Sequence, residues 1–378
     1  MTRRLLLLNG LAILAVVIQH AAHTFPLPMF WWTFRYIPGS VVPNYDQFGS
    51  VTYYVLIAII KLSFVAVPSF LFVSGYFVSV VSRGHQAKVS WKWVRATILR
   101  LLVPYLIWSL ATFLIDWLQS CLDVCTANSL GQYIIILLTG RAHAAYWYVL
   151  LVCQLYLLSP LLVILAKTRL RLLLIITILV HVCVLTVSYL KIFVNVPIAN
   201  FVFNDTLFFR DMIYFVFGIV AGLHLTVLKQ WLARFKRFLL VALVISAILT
   251  LVEAEFLYRI SGGGLNYLKH TLGGYFTVPM TMYIFMVILC FLAFDNVNYP
   301  FSKILFQQIG PKSYGIYLLH PFFIQFVPKI FYHLAPWLLA HQILYQPALI
   351  TISLGIPILF MTLVEKSRMR SAYRYLFG

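Results

Sequence analysis

Charged side chains are scarce in this sequence, and acidic ones are the scarcest. Charged residues make up 10% of the 378 residues, with 9 Asp and Glu against 28 Lys and Arg. A soluble domain has roughly 25% charged residues, so this composition excludes an ordinary soluble protein. Hydrophobic residues make up 63% of the chain and the mean hydropathy is +0.95, which indicates a polytopic helical membrane protein.

The sequence also lacks the cysteine patterns of a metal site or a disulfide framework. Cys153, Cys183 and Cys290 lie inside apolar runs, where we expect small apolar core residues. Cys121 and Cys125 follow the third run, and two alternatives stay open for them. They form a disulfide in an oxidising compartment, or they are reduced neighbours on a helix. No thiol has the paired spacing of a zinc site, so no metal is expected.

Long apolar runs predict about ten transmembrane helices, each close to the ~20 residues that a bilayer needs. The short alternating segments of a transmembrane barrel are absent from the sequence. The predicted spans lie near residues 5–23, 60–82, 94–117, 147–166, 172–190, 209–227, 238–256, 275–294, 313–334 and 346–364.

Basic clusters fall in alternate loops between these runs. They precede the first run and follow the second, fourth, sixth, eighth and last runs, so the positive-inside rule predicts that both termini are cytoplasmic. The basic residues punctuate the runs instead of forming one patch, so the formal charge of +19 does not indicate nucleic-acid binding. We expect one all-α membrane domain over 1–378, with no soluble accessory domain, in a bacterial plasma (inner) membrane.

His20 stands at the far end of an otherwise apolar first helix, with His23 one turn later. The stretch from Leu5 to Ile18 reads LLLLNGLAILAVVI, and a lipid-buried helix gains nothing from an imidazole. At 1.5 Å per residue His20 lies ~22 Å along the helix from Leu5, in the outer half of the membrane. A neutral imidazole there suits a general base that takes a proton from a hydroxyl. The alternatives are a histidine hydrogen-bonded in a helix interface and a metal pair with His23.

Other polar residues interrupt or flank the apolar runs. Arg100 in RATILRLLVPY either grips a phosphate or carboxylate or snorkels to the inner interface, whereas Lys61 and Lys329 at span edges are expected to snorkel. His320 lies in SYGIYLLHPFF, where Pro321 restricts it toward non-helical dihedrals. It either lines a polar opening at a kink or satisfies the carbonyl that the proline frees.

Two pairs of residues fit either close helix packing or the lining of a cavity. They are Ser74 with Gly75, in FLFVSGYF, and Trp147 with Tyr148. Acidic residues that could orient the imidazole of His20 are scarce, and they lie near the outer ends of spans. Glu253 or Asp211 is expected to take that role.

These motifs, in this order, resemble the acyltransferase-3 family of integral membrane acyltransferases over essentially the whole chain. NGLAILAVVIQH resembles the family's first span through His20, and FLFVSGYF resembles its FF-SG motif. RLLVPYLIW, with Arg100, resembles its R-L-x-P-Y segment, and YWYVLLVCQLYLLSP its WF-L-YLL-P element. SYGIYLLHPFF resembles its StYgIYLlHp signature.

Two positions depart from the family pattern. The family usually has Arg or Lys eleven positions before the histidine, where this chain has Asn9, and His143 is displaced four positions ahead of Trp147.

The resemblance implies O-acyl transfer, commonly acetyl, from cytoplasmic acyl-CoA to a hydroxyl of an extracytoplasmic or lipid-linked glycan. His20 is then the general base or a transient acyl carrier. Acyl-CoA (acetyl-CoA) is the co-substrate, and membrane lipid, the glycan acceptor and glycan-biosynthesis proteins are the expected partners. The residues expected to serve the donor are Arg100, Arg4 and Asn9. Those expected to line the cavity or contact substrate are His23, Ser74, Trp147, Tyr148, Asp211, Glu253, Tyr317 and His320.

The architecture leaves two other function classes open. A polytopic transporter or exporter of glycans or solutes fits the number of spans and the aromatic loop after the first one. Transporters typically have internal repeats and a relay of buried carboxylates, and this sequence shows neither feature. A sensor or scaffold with a decayed site is prompted by Asn9, and such a protein would bind no acyl donor.

Overall fold

A computed structural model of the protein describes most of the chain, and every regular element in the described part is a helix or a helical turn. The described residues are 2–24, 51–83, 88–121, 125, 128–143, 145–193, 206–260, 276–294 and 302–378.

The described helices follow one another in this order. The first seven are α1 (Thr2–Ala22), α2 (Val51–Ser63), α3 (Ala66–Val81), α4 (Trp91–Ser120), α5 (Leu130–Leu138), α6 (Trp147–Thr168) and α7 (Leu170–Phe193). Next come a 3-10 turn (Phe208–Arg210), α8 (Met212–Leu223), α9 (Leu225–Ile260), α10 (Val278–Ala293), α11 (Ser302–Ile304) and a π-helical turn (Leu305–Ile309). The last are α12 (Ser313–Leu334), α13 (Pro336–Ala340), α14 (Gln342–Lys366), a 3-10 turn (Arg368–Ala372) and α15 (Tyr373–Phe377).

Helices lie on all the predicted spans, but they differ in length. Among the residues that the structure describes, seven segments are long and apolar enough to cross a membrane, and α2 and α3 together form one of them. Helices α8 and α10 are apolar but shorter, and α12 has 22 residues that include polar ones. The protein is therefore a polytopic helical membrane bundle.

The cysteines separate into a bonded pair and three single thiols. Cys121 and Cys125 are joined by a disulfide. Cys153 and Cys290 are buried as predicted, whereas Cys183 is exposed on α7, so its predicted core position is wrong. On a membrane helix an apolar residue can face lipid as well as protein, so hydropathy does not distinguish these two positions.

The described chain divides into two compact units, each built from separate stretches of sequence. The first unit comprises residues 1–66, 237–291 and 296–360, and the second comprises 67–236, 292–295 and 361–378.

In the first unit, α1 packs against α2, the π-helical turn and α12. Glycines let α1 and the π-helical turn approach closely, because a Cβ at Gly10 would lie 2.6 Å from the backbone oxygen of Leu305. Gly310 meets the backbone oxygen of Leu6 in the same way. Small residues at a helix contact permit this backbone approach. The N-terminal half of α1 is thereby fixed against the π-helical turn that precedes α12.

The far end of α1 is held by a buried apolar cluster of the first unit. Ala21 packs there with Tyr332, Tyr345 and Leu349, all at most 2% exposed. The hydroxyls of Thr24 and Tyr345 lie 3.3 Å apart and share a hydrogen bond. Because both ends of α1 are packed in this way, the histidine near its end has a defined position.

In the second unit, α8 packs against α6 and α7, and α4 packs against α6 and α15. Gly75 of α3 meets the backbone oxygen of Phe215, and Gly218 of α8 meets that of Phe72, so these two helices cross at close range. The structure thus assigns Gly75 to close packing. At the end of the chain, the indole N–H of Trp108 donates a 2.8 Å hydrogen bond to the carbonyl of Leu376.

Candidate active site

His20 and His320 face each other within the first unit, on α1 and α12. Their ring centroids are 5.3 Å apart and the ring planes are tilted by 49°. His320 is fully buried, whereas His20 keeps part of its surface exposed. The aromatic ring of Tyr317, one turn before His320 on α12, lies 5.8 Å from the ring of His320. The structure therefore brings together three residues that the sequence analysis named separately.

A backbone hydrogen bond fixes the orientation of His320. Its Nδ1 lies 3.1 Å from the carbonyl oxygen of Ile316. A carbonyl oxygen only accepts, so Nδ1 carries the hydrogen, and in the neutral ring Nε2 is the nitrogen with the lone pair. A buried imidazole held in this tautomer can accept a hydrogen bond from a neighbouring donor.

The proline after His320 does not interrupt the helix. Helix α12 runs from Ser313 to Leu334 with Pro321 and Pro328 inside it, so the predicted shift of His320 toward non-helical dihedrals is wrong. Transmembrane helices tolerate proline, because neighbouring groups satisfy the freed backbone. The carbonyl that Pro321 frees belongs to Tyr317, four residues earlier, whereas His320 binds the carbonyl of Ile316. His320 therefore does not serve as the partner of the freed carbonyl.

His23 lies next to a buried lysine in the first unit. Its ring centroid is 6.4 Å from that of Phe64, and the Nζ of Lys61 lies 5.6 Å from the same Phe64 ring. Lys61 is only 5% exposed, so its predicted snorkelling is wrong. The charge of Lys61 acts on His23, and the carboxylate of Glu253, on α9, acts on Lys61.

Arg4 and Asn9 occupy the predicted cytoplasmic half of α1. The guanidinium of Arg4 donates to the carbonyl of Phe291 and lies 5.0 Å above the centroid of the Phe291 ring. The Oδ1 of Asn9 is buried and has no hydrogen-bond partner among the residues that the structure describes. Asn9 thus presents a buried acceptor without changing the local charge.

The second unit holds a buried ion pair beside Trp147. The Nε of Arg210 donates to Asp211 Oδ2 at 3.0 Å, and the two side chains are 3% and 0% exposed. The same guanidinium lies 4.8 Å above the centroid of the Trp147 ring. Asp211, a candidate orienter of His20 by sequence, is thus bonded to its own neighbour. The sequence analysis missed Arg210 because nothing in its spacing separates it from other loop arginines.

The remaining predicted residues of the second unit divide into buried and exposed ones. Tyr148 and Tyr156 are buried, and the side chain of Ser74 lies close to both phenols. The ring of His143 lies 5.8 Å from that of Tyr146. Arg100 is exposed on the surface of α4, so it does not point into the interior of its unit.

No group of three or more His, Cys, Asp or Glu side chains that could hold a metal ion occurs among the described residues. The chemistry that the imidazoles of His20 and His320 can supply is acid–base or nucleophilic chemistry. A polytopic membrane bundle with a histidine pair inside one of its units defines the class of this protein: an integral membrane protein with an intramembrane polar site.

The family follows from the sequence match. Residues 5–362 match the acyltransferase-3 family, described as an acyltransferase domain, so the chain belongs to this family and is an acyltransferase. No curated protein and no solved structure matches the chain.

Proposed function

We propose that the protein is a membrane O-acyltransferase that moves an acetyl group from cytoplasmic acetyl-CoA to a hydroxyl of an extracytoplasmic or lipid-linked glycan. The observation that supports this most is the contact between His20 and His320, with ring centroids 5.3 Å apart. Acyl transfer to a hydroxyl needs a base at the hydroxyl, and an imidazole is the side chain that most often supplies one.

The two histidines have different roles in this proposal: His320 orients His20, and His20 acts as the base. In the mechanism that we propose, the two facing rings approach so that the lone pair of His320 Nε2 accepts a hydrogen bond from one ring nitrogen of His20, a bond that the structure itself does not contain. The other nitrogen of His20 is then left as the base, as when a third group orients the base of a catalytic triad. His20 suits the role of base because it keeps part of its surface exposed, whereas His320 is fully buried.

The reaction balances with these groups alone. The acceptor hydroxyl transfers its proton to His20 as its oxygen attacks the thioester carbonyl, and the C–S bond then breaks. The thiolate of CoA leaves with the proton from His20, which restores the neutral imidazole. If His20 acts instead as a transient acyl carrier, its nitrogen attacks first and the hydroxyl attacks the acyl-imidazole second.

The donor approaches from the basic side of the membrane. By the positive-inside rule, the N-terminal end of α1 and the C-terminal end of the chain face the cytoplasm. Arg4, Asn9 and Arg100 serve the donor in this arrangement, with Arg4 and Arg100 supplying positive charge for the phosphates of CoA. Asn9 supplies a neutral acceptor in place of the family's usual cation.

The test follows label from radioactive acetyl-CoA into crude envelope glycans with purified wild type and His20→Ala. We expect transfer by the wild type and a loss of about 10²–10⁴-fold in the variant, the usual contribution of a general base. The control is His341→Ala, because His341 is exposed and lies outside the histidine pair. Full transfer by His20→Ala would reject the role of His20, and no transfer by the wild type would reject this donor and acceptor.

A further inference from the structure

Two groups of opposite charge that act on each other electrostatically, Lys61 and Glu253, belong to the first unit together with the histidine pair, and the acyl-transfer steps above do not use them. Lys61 of α2 is 5% exposed and lies within a candidate membrane span that runs from Tyr54 to Val81. Glu253 of α9 is half-buried and acts electrostatically on Lys61. Charged residues inside a membrane are costly, and they mark functional sites by default.

Stability alone gives little reason for such a pair. The desolvation of two charges can exceed their mutual attraction, and apolar residues of similar volume are often as stabilising. The first unit is otherwise rich in apolar packing, as in the cluster around Tyr345. A role in binding a ligand explains why the sequence has two charged residues at these positions.

The position of the pair fits the acceptor side of the reaction. Lys61 lies beside His23, and His23 follows His20 by three residues, a rise of roughly 4.5 Å along α1. His20 already lies in the predicted outer half of the membrane, so the pair lies on the extracytoplasmic side of the base. A glycan arrives from that side, whereas acetyl-CoA arrives from the other.

The chemistry of the pair also fits a neutral polyol better than a phosphate. One ammonium and one carboxylate have no net charge, and the carboxylate of Glu253 repels an anion. A sugar hydroxyl donates and accepts at once, so it can use the donors of Lys61 and the acceptors of Glu253 together. The ring of Phe64, 5.6 Å from Nζ, adds an apolar face next to the polar groups.

We propose that Lys61 and Glu253 form a binding site for the hydroxyl groups of a neutral glycan acceptor, next to the base His20. This inference rests on the proposed acyl transfer and names the residues that select its acceptor.

The test is equilibrium binding of two probes to the purified full-length protein in detergent. One probe is a radiolabelled neutral glycan fraction of the cell envelope, and the other is acetyl-CoA. The variant Lys61→Met with Glu253→Gln removes both charges together, because removing Glu253 alone would leave the ammonium of Lys61 buried and uncompensated. We expect glycan affinity to fall on the order of tenfold, from lost charge-assisted hydrogen bonds, and acetyl-CoA affinity to stay at the wild-type value.

The chain supplies a matched control on α12. The Nζ of Lys329 lies 5.2 Å from the centroid of the Phe326 ring, which repeats the arrangement of Lys61 with Phe64. Lys329→Met should therefore leave both affinities unchanged. Lys61→Met alone, which leaves only the half-buried carboxylate of Glu253, replaces the double variant if the latter is not monodisperse, and we expect glycan affinity to fall in it as well.

Three results would overturn the assignment: unchanged glycan affinity in the variant, an equal loss of acetyl-CoA affinity, or no glycan binding by the wild type. A parallel turnover assay separates this inference from the proposed function. If the wild type transfers acetyl groups and the variant keeps its glycan affinity, the site is wrong and acyl transfer stands. If glycan binding depends on the pair but no acetyl group is transferred, the site stands and the proposed donor or reaction is wrong.

Discussion

The ring of His320 lies 5.3 Å from the ring of His20, and a hydrogen bond to the carbonyl of Ile316 fixes the tautomer of His320. The two histidines are 300 positions apart in the sequence, on α1 and α12. Within the first unit they form a pair with one buried member and one accessible member. Such a pair can hold the partly exposed His20, which we propose as the base, in a fixed orientation.

The first prediction concerns the buried member. His320→Leu removes the acceptor nitrogen, so we expect kcat for acetyl transfer to fall on the order of a hundredfold, because His20 loses its orienting partner. The KM for acetyl-CoA should stay unchanged, since His320 positions the base and does not bind the donor. His320→Gln, whose amide oxygen accepts a hydrogen bond, should recover part of the rate. A raised KM with unchanged kcat, or no recovery by Gln, would contradict the positioning role.

The second prediction concerns the close contact between α1 and the π-helical turn. Gly10→Ala places a Cβ 2.6 Å from the backbone oxygen of Leu305, so one of the two segments must shift. We expect a loss of about 1–3 kcal/mol in the free energy of unfolding, the usual cost of overpacking, measured from the thermal midpoint in detergent.

The control for this change is a glycine with open space. A Cβ at Gly355 of α14 meets nothing within 4 Å, so Gly355→Ala should stabilise the protein by about 0.5–1 kcal/mol. Equal effects of the two substitutions would show that the contact between Gly10 and Leu305 is not what limits stability.

The third prediction concerns the buried ion pair of the second unit. Asp211→Asn leaves the guanidinium of Arg210 buried without its counter-charge, so we expect a loss of about 3 kcal/mol in the free energy of unfolding. Glu255 and Arg259 form a pair at 2.8 Å on α9 that supplies the comparison, with side-chain exposures of 30% for Glu255 and 72% for Arg259. Glu255→Gln should cost much less, because solvent screens an exposed ion pair. Similar losses in both variants would mean that burial does not set the strength of the first pair.

The fourth prediction concerns Asn9, the neutral residue in the N-terminal half of α1. Asn9→Leu removes a buried acceptor that has no partner among the described residues, so we expect a gain of about 1 kcal/mol in stability. If Asn9 serves the donor, the same change also raises the KM for acetyl-CoA. Thermal unfolding and initial-rate kinetics of one preparation measure both effects. Stabilisation with an unchanged KM would assign Asn9 no part in donor binding.

Much of the fold was predictable because hydropathy is a local property. The apolar runs located a helix at each predicted span, and the motifs around His20 and His320 indicated the family. The lengths of α8 and α10 were not predictable to the same degree, since a short apolar helix and a full span give similar runs. The continuity of α12 through Pro321 was not predictable either, because the tolerance of a membrane helix for proline depends on neighbouring groups and not on the local sequence.

The sequence by itself determined the class of the protein, the places of its helices and the presence of an imidazole near the end of α1. Only the tertiary structure decided that His320 faces His20, that Lys61 is buried next to the Phe64 ring, and that Arg100 is exposed. The reason is physical. In a membrane, lipid and protein interior are both apolar, so a hydropathic pattern shows that a helix is buried but not which of its faces meets protein. Contacts between distant helices supply that information.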